Sequence, residues 1–423
     1  MKSSRFLNNF ILLFLAVFIV GGNTLTFLVA GRVAFRVGEI LGFLLGLCLL
    51  AWFIKERLHS SIWVMLVWGV LSLVLMVCNT LVYRFTLGDL LTGFLYLFRF
   101  LYFLMLAYVL SAYLKKAGMC ERVLKFVNIC YLVVGFIGLL QLLLFPVAYD
   151  FYNIFYAFGV YFPNPDPHIN RLISTYFDPN YLACCLLIGV VISIYLWRKS
   201  KGASLQKRVF YGLSFLFYCL TILLTKSRSG LLGLAIIAGL YLLCSYDFQH
   251  IRRIHLLFVG VLLFAIIYLV FFSNITVFVR IRNFMSDPSA QARFNSWAKS
   301  FEVIKNTGFL GVGYNLIGAY NRDIYGFVSE STANGADSSL LLIMMTTGLW
   351  GLLLWGMHLY QLFKIRNNAL FIGSLTLAAL IVCNFNNLLF YSLWVFPFYF
   401  TVYLLRNCPS APILVKKAER RIS

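Results

Sequence analysis

The feature that most constrains this chain is a succession of long apolar runs separated by short cationic breaks. A transmembrane helix needs about 20 apolar residues to cross about 30 Å of hydrocarbon. Twelve stretches meet that requirement, near residues 8–29, 38–54, 62–82, 90–114, 125–145, 180–197, 209–225, 230–246, 254–272, 339–363, 369–386 and 388–405. Of 423 residues, 62% are hydrophobic and only 12% charged, which excludes a water-soluble globular domain. The expected fold class is therefore an all-α polytopic membrane protein with about 12 transmembrane helices. Helices suit hydrocarbon because every backbone hydrogen bond closes within one segment.

Cation placement sets the orientation. With the N-terminus inside, the inner side receives Lys55, Arg57, Lys115, Lys116, Arg198, Lys199 and most of the other Lys and Arg residues. Both termini are thus expected to be cytoplasmic. The net charge of +21 reflects this bias and attraction to anionic membrane lipid; no nucleic-acid partner is implied. The first apolar run is too long for a signal peptide, and Gly31-Arg32 follows it without a small-residue cleavage pattern, so it is expected to be retained. The ten Cys residues lie in spans or on the inner side, which gives no external disulfide framework. There is no H-E-x-x-H, no Asp-x-Asp pair in an outer loop and no P-loop, so neither a metal nor another cofactor is expected.

The chain reads as one membrane domain over 1–423. Residues 1–273 carry spans one to nine, 274–338 form one large outer loop, 339–406 carry spans ten to twelve, and 407–423 form a cytoplasmic tail. A loop of this length calls for a function. It holds Arg280, Arg282, Arg293, Lys299, Lys305, Arg322 and Trp297. The run Arg293–Gly313 has helical spacing of Phe294, Trp297, Phe301 and Ile304, and the loop closes on Gly335-Ala336-Asp337-Ser338-Ser339.

Polar residues elsewhere are few. Arg99 lies about 13 Å into the fourth span at 1.5 Å per residue; a charge that deep faces a cavity or a partner, with Asp89 as the structural candidate. Tyr149–Phe162 is aromatic-rich and suits either sugar stacking or the interfacial belt. His168, beside three Pro residues, is weak evidence for catalysis. Arg171 precedes Asp178-Pro179-Asn180, where Asp178 reads as an N-cap and Pro179 as the first helical residue. The short outer turn Thr225-Lys226-Ser227-Arg228-Ser229-Gly230 sets two cations at the bilayer rim, facing either headgroups or a phosphate-bearing substrate.

Four of these segments resemble the O-antigen polymerase and O-antigen ligase superfamily. They are Phe177-Asp-Pro-Asn180-Tyr-Leu-Ala183, Thr225-Lys-Ser-Arg228-Ser-Gly, Arg293-Phe-Asn-Ser-Trp297 with Gly311-Val-Gly313-Tyr, and the helix from Asp337 through Gly348 to Gly351. The specific motifs cover 171–230 and 291–351. The resemblance implies a GT-C-like, metal-independent, inverting glycosyltransferase of the bacterial inner membrane. Its donor and acceptor would be polyprenyl diphosphate-linked oligosaccharides, and a chain-length regulator would be a further partner. Residue by residue, the arginine of the turn motif falls on Arg228 and the arginine opening the loop helix on Arg293. At the position of the ligase histidine stands Asp337, which shifts weight from ligase to polymerase.

The chemistry agrees with that carry-over. A departing diphosphate gathers negative charge, which guanidinium groups bind with two parallel bonds. Arg228 and Arg293 are the expected clamp, with Arg171, Arg99, Lys226, Asn180 and Trp297 at the substrate. An acceptor hydroxyl needs a proton acceptor. Asp337 is that candidate, and it also stands where the N-cap of span ten is expected; Asp178 is a reserve. The rival class is a twelve-span transporter or flippase, against which stand the absence of an evident repeat and the lopsided outer loop.

Overall fold

The computed structural model describes residues 5–29, 33–158, 168–200, 204–245, 286, 288–326 and 336–411. Among the described residues it is an all-α membrane protein apart from one small hairpin. Among the described residues, six helices are long and apolar enough to cross a membrane. They are α4 (Ser60–Asn79), α5 (Leu87–Lys116), α6 (Cys120–Leu144), α8 (Pro179–Lys199), α9 (Leu205–Leu224) and α13 (Ser339–Phe363). Shorter apolar helices join them: α1 (Arg5–Gly21), α2 (Val37–Cys48), α3 (Leu50–Lys55), α10 (Arg228–Ser245), α14 (Ala369–Val382) and α15 (Ser392–Asn407). Helical residues fall within each expected stretch except 254–272, which lies outside the described residues, but not every stretch is one membrane-length helix.

Two expectations about the first spans are corrected. The run 8–29 is not one helix. α1 stops at Gly21, Gly22 takes φ +52°, and β1 (Thr26–Val29) pairs antiparallel with β2 (Val33–Arg36) in the register Thr26 to Arg36. The run 38–54 is split at Leu49 into α2 and α3. β-branched and aromatic residues in 26–36 favour the extended state once a turn permits it.

α8 is the bundle's central helix: 83% of its most apolar window is buried, against 28–44% in the other long helices. It packs on α9, α10, α6 and α15, while α15 packs on α5 and α13 on α4. α15 is itself buried from Ser392 to Leu405.

The large loop supplies α11 (Pro288–Asn306) and α12 (Ile317–Tyr325). The helix expected over 293–313 begins earlier and ends at Asn306. Between α11 and α12 the chain re-enters the bundle. α13 is broken at Gly348 (φ 63°, ψ −159°). The break frees backbone groups that an intact helix would pair internally, and the loop takes them. Val312 N donates to Met345 O at 2.8 Å, Gly313 N to Thr346 O at 2.8 Å, and Leu349 N to Phe309 O at 3.1 Å. Asn79 Nδ2 of α4 donates to Gly311 O at 2.9 Å. Tyr314 then lies buried between Trp68 and Phe390, with each ring centroid 5.6 Å away. Non-helical backbone at such depth is tolerated only when protein surrounds it.

This seam predicts a contrast between two glycines of one helix. A Cβ at Gly348 would collide with the Phe309 carbonyl oxygen, at a φ that L-residues rarely adopt, whereas a Cβ at Gly356 meets nothing within 4 Å. Gly348→Ala is expected to lower stability by about 2 kcal/mol or more. Gly356→Ala should be neutral or stabilising by up to about 1 kcal/mol. Thermal unfolding of the purified protein in detergent checks both; equal midpoints for the two variants would contradict the seam.

Candidate functional site

The site is built at the end of the bundle that carries the large loop. Its first part joins the 171–183 segment to the 225–230 turn. Asp178 caps α8 as expected: its Oδ1 accepts from Asn180 N at 2.6 Å and Tyr181 N at 2.9 Å, with Pro179 as the first helical residue. Arg171 Nε donates to Thr225 O at 2.9 Å, and Nη2 to Asn180 Oδ1 at 3.3 Å. Leu172 N donates to Leu224 O at 3.2 Å. Gly230 lies so close to Ala183 that a side chain there would strike the alanine Cβ. These contacts bring Lys226 and Arg228, both half-buried, to the start of α8. Ser227 Oγ accepts from Gly230 N at 3.3 Å at the head of α10.

The second part joins the large loop to the head of α13 and to residues 383–387. Asp337 N donates to Ser296 Oγ of α11 at 3.4 Å. The expected N-cap role of Asp337 is corrected: the cap is Ser338, whose Oγ accepts from Leu341 N at 3.3 Å. Ser338 Oγ also donates to Asn384 Oδ1 at 3.2 Å. Ser339 N donates to Cys383 O at 2.8 Å, and Ser339 Oγ to Asn386 O at 3.3 Å. Asn386 Nδ2 donates to Ser229 Oγ at 2.9 Å, which closes the circuit back to the Arg228 turn. Trp297 packs against Phe294 at 5.6 Å and Phe385 at 6.3 Å.

Electrostatics draws the two parts together. Burial raises the Asp178 pKa above its ordinary value, against the opposing pull of the Tyr181 amide, the Arg171 charge, the Asn180 amide and the Arg293 charge. Arg171 and Arg293 therefore both act on one carboxylate. Asp178 and Asp337 both act on Tyr181, whose ring packs tilted against Tyr391 with centroids 4.4 Å apart. Arg171, Asp178, Asn180, Lys226, Arg228, Arg293, Trp297 and Asp337 thus belong to one region.

Arg99 stands apart from it. Its Nη1 donates to Ala34 O at 2.8 Å and meets Glu39 at 3.5 Å, and its guanidinium lies 4.3 Å from the Tyr96 ring centre. The expected partner Asp89 instead pairs with Arg322 of α12 at 2.5 Å. Glu39 is wholly buried; it accepts from Arg36 at 2.9 Å and Ser392 Oγ at 2.6 Å. Arg36 Nε donates to Asn23 Oδ1 at 2.8 Å, and Asn23 Nδ2 to Tyr391 OH at 2.9 Å. Sequence reasoning missed this network. Glu39 in an apolar run and the Gly22-Asn23 interruption were its visible traces. It also missed Asn384 and Asn386. Of the aromatic stretch, 159–162 lie outside the described residues; the earlier part forms α7 (Ala148–Tyr156), whose Phe151 and Tyr152 pack on Phe177, while Tyr149 stays exposed.

Fold and site together define a multi-pass α-helical membrane protein with guanidinium groups and two carboxylates gathered at one end. Residues 213–356 match the family model described as O-Antigen ligase. That match runs from within α9 through the Arg228 turn, the large loop and the Gly348 break, and it supports a likeness of this part of the chain to the O-antigen ligase and polymerase superfamily. No curated protein matches the chain.

Asp178 yields a test of the site's electrostatics. Asn caps about as well as Asp, and it removes a carboxylate that burial disfavours. Asp178→Asn should keep or raise the thermal midpoint near neutral pH, whereas Asp178→Ala should cost about 1 kcal/mol. The folded pKa is raised, so the folded state holds the proton more tightly and wild type gains relative stability as pH falls through that value. The gap between wild type and Asp178→Asn should therefore narrow on acidification; melts across a pH series measure it.

Proposed function

We propose that this protein is a glycosyltransferase-type polymerase that joins polyprenyl-diphosphate-linked oligosaccharide repeat units into a surface polysaccharide. The reading includes a GT-C-like single domain of twelve spans in a bacterial inner membrane, with cytoplasmic termini and residues 274–338 on the outer face. A chain-length regulator is a fitting partner. The observation that carries it is the gathering of Arg171, Arg228 and Arg293 around Asp178 and Asp337; Arg228, Arg293 and Asp337 lie within the family match, and all five lie on segments of the motif resemblance.

In this reading, Arg228 and Arg293 hold the diphosphate and take up charge as the anomeric carbon–oxygen bond to phosphate breaks. The acceptor hydroxyl oxygen forms the new bond to that carbon while Asp337 takes its proton. Asp337 suits the task better than Asp178. Asp178 Oδ1 already accepts two backbone amides, while capping of α13 falls to Ser338. Arg171, Lys226, Asn180 and Trp297 border the bound substrate. Arg99, held against Glu39 and the hairpin, supports the site from behind. The family description favours transfer to a different acceptor, as in a ligase; Asp337 at the ligase histidine position favours the polymerase.

Surface glycan from a deletion strain separates these readings. Single-repeat glycans indicate a polymerase, and full-length but unattached chains a ligase. In complementation, Arg228→Ala and Arg293→Ala should each lower transfer by about 100-fold or more, as for loss of one electrostatic donor. Lys at either position should restore only part, since it keeps the charge without the fork. Asp337→Asn should lose about 100-fold or more at unchanged membrane level. A normal glycan ladder from Asp337→Asn would move the base to Asp178.

Orientation is tested separately. Lys305 and Lys207 are both exposed. Lys305→Cys should react with an impermeant maleimide in intact spheroplasts, and Lys207→Cys only after lysis. The reverse pattern would place the site on the cytoplasmic face and end the proposal.

A further inference from the structure

α7 takes no part in the transfer chemistry, yet it is built onto the segment that carries Arg171 and Asp178. Just ahead of the helix, Asn170 N donates to Pro146 O at 2.7 Å and Ala148 N to His168 O at 2.9 Å. Tyr152 OH donates at 2.8 Å to the carbonyl oxygen of Phe177, the residue before Asp178. One face of α7 is spent on this attachment: Ala148, Phe151 and Tyr152 are buried with Ile173 and Phe177. The other face is open. Tyr149 and Tyr156 are 48% and 39% exposed, and Asn153, one turn from each, shares their side of the helix. Asp150 is exposed beside Tyr149. Neither Asp150 nor Asn153 has a side-chain hydrogen bond or ion pair among the described residues. The Tyr149 ring is braced edge-on by Tyr152, with centroids 6.3 Å apart.

We infer that the open face of α7 is a binding surface for the glycan, with the Tyr149 ring against the C–H face of a sugar and with Asp150 and Asn153 bonding its hydroxyls. The inference deepens the glycosyltransferase reading and rests on it for the source of the sugar. The chemistry selects the ligand class. Tyr residues also settle at membrane interfaces, but an interfacial helix turns its apolar side to the hydrocarbon, and in α7 that side is taken by Ile173 and Phe177. A face in contact with hydrocarbon would not carry a carboxylate and an amide among its rings. A phosphate would be repelled by Asp150, and α7 holds no Lys or Arg. A neutral sugar meets each requirement. Its C–H groups cover an aromatic face, and its hydroxyls donate to the Asp150 carboxylate and the Asn153 amide oxygen. All of these residues are exposed, so a ligand reaches them without any opening of the fold. Position agrees: the segment 168–178 joins α7 to Arg171 and Asp178, so the surface adjoins the cationic region, as a sugar joined to a diphosphate requires.

The test uses the full chain in nanodiscs. The probe is the lipid-free oligosaccharide released by mild acid from repeat-unit lipid of the deletion strain. Saturation-transfer NMR titrations read its binding without turnover, with empty nanodiscs as the baseline. Tyr149→Leu keeps an apolar side chain and removes the planar face. Asn153→Ala removes the amide at an exposed helix position that suits Ala. Each is expected to weaken binding by about fivefold or more. Tyr149→Trp should stay within about twofold of wild type, because it keeps a ring. Thermal midpoints should move little, since these side chains are exposed. Wild-type affinity in Tyr149→Leu would overturn the surface whatever Asn153→Ala does, and so would a wild type that does not bind the oligosaccharide. Chain extension of the repeat-unit lipid in the same nanodiscs tests the polymerase reading separately. No extension by a wild type that binds the oligosaccharide would end that reading and leave the surface standing. Extension with unchanged binding in Tyr149→Leu would end the surface alone.

Discussion

The structure depends on one exchange of backbone hydrogen bonds. Hydrocarbon punishes any unpaired peptide group, so a break in a membrane helix must be repaired from elsewhere. Here the break at Gly348 and the re-entrant segment 309–313 repair each other through three backbone bonds. Neither conformation stands alone: the segment has no regular structure of its own, and α13 without it would carry orphan groups. The consequence reaches the site directly. The segment fixes the end of α11, α11 carries Ser296 to Asp337, and Arg293 of the same helix acts on Asp178. A large loop acquires the precision of a helix bundle by being sewn into it.

A second constraint acts from the other flank. Glu39 is buried against two guanidinium groups and a serine hydroxyl. Removing one partner of such a group costs about 3–5 kcal/mol, because the other charge stays buried. The network runs through Asn23 to Tyr391 and the Tyr176 carbonyl, and Tyr391 packs against Tyr181 at the site. The hairpin 26–36 is therefore the means by which Arg36 reaches back over α2. Arg99 completes the same charge balance and contacts Ala34, so its depth in α5 is explained by structure nearby.

Much of this was legible in the sequence because it is local. Apolar length marked the helices, Asp178-Pro179 marked the head of α8, and aromatic spacing marked a helix in the large loop. The rest is non-local. The register of Val312 on Met345, or of Asn386 on Ser229, joins backbone or side chains far apart in the chain and leaves no periodic trace. Gly311, Gly313 and Gly348 were visible as motif residues, yet their shared role was not. The cap of α13 shows the limit of local reading: Asp337 and Ser338 are both good caps by type, and only the geometry decides for Ser338.

That decision matters for chemistry. Two carboxylates near one tyrosine and two guanidinium groups can divide acid–base work only if their surroundings differ. Asp178 is tied to two amides, adjoins Arg171 and Arg293, and is nonetheless raised by burial. Its place is fixed, and its bonds to the α8 amides favour the charged form even as desolvation opposes it. Asp337 sits one residue outside the cap of its helix, joined to α11 through its backbone amide. What sets Asp178 apart is occupancy and not basicity: burial raises its pKa, but its Oδ1 is already held by the Asn180 and Tyr181 amides. Ser338 carries the capping duty for α13, so the carboxylates of Asp178 and Asp337 stand in different surroundings.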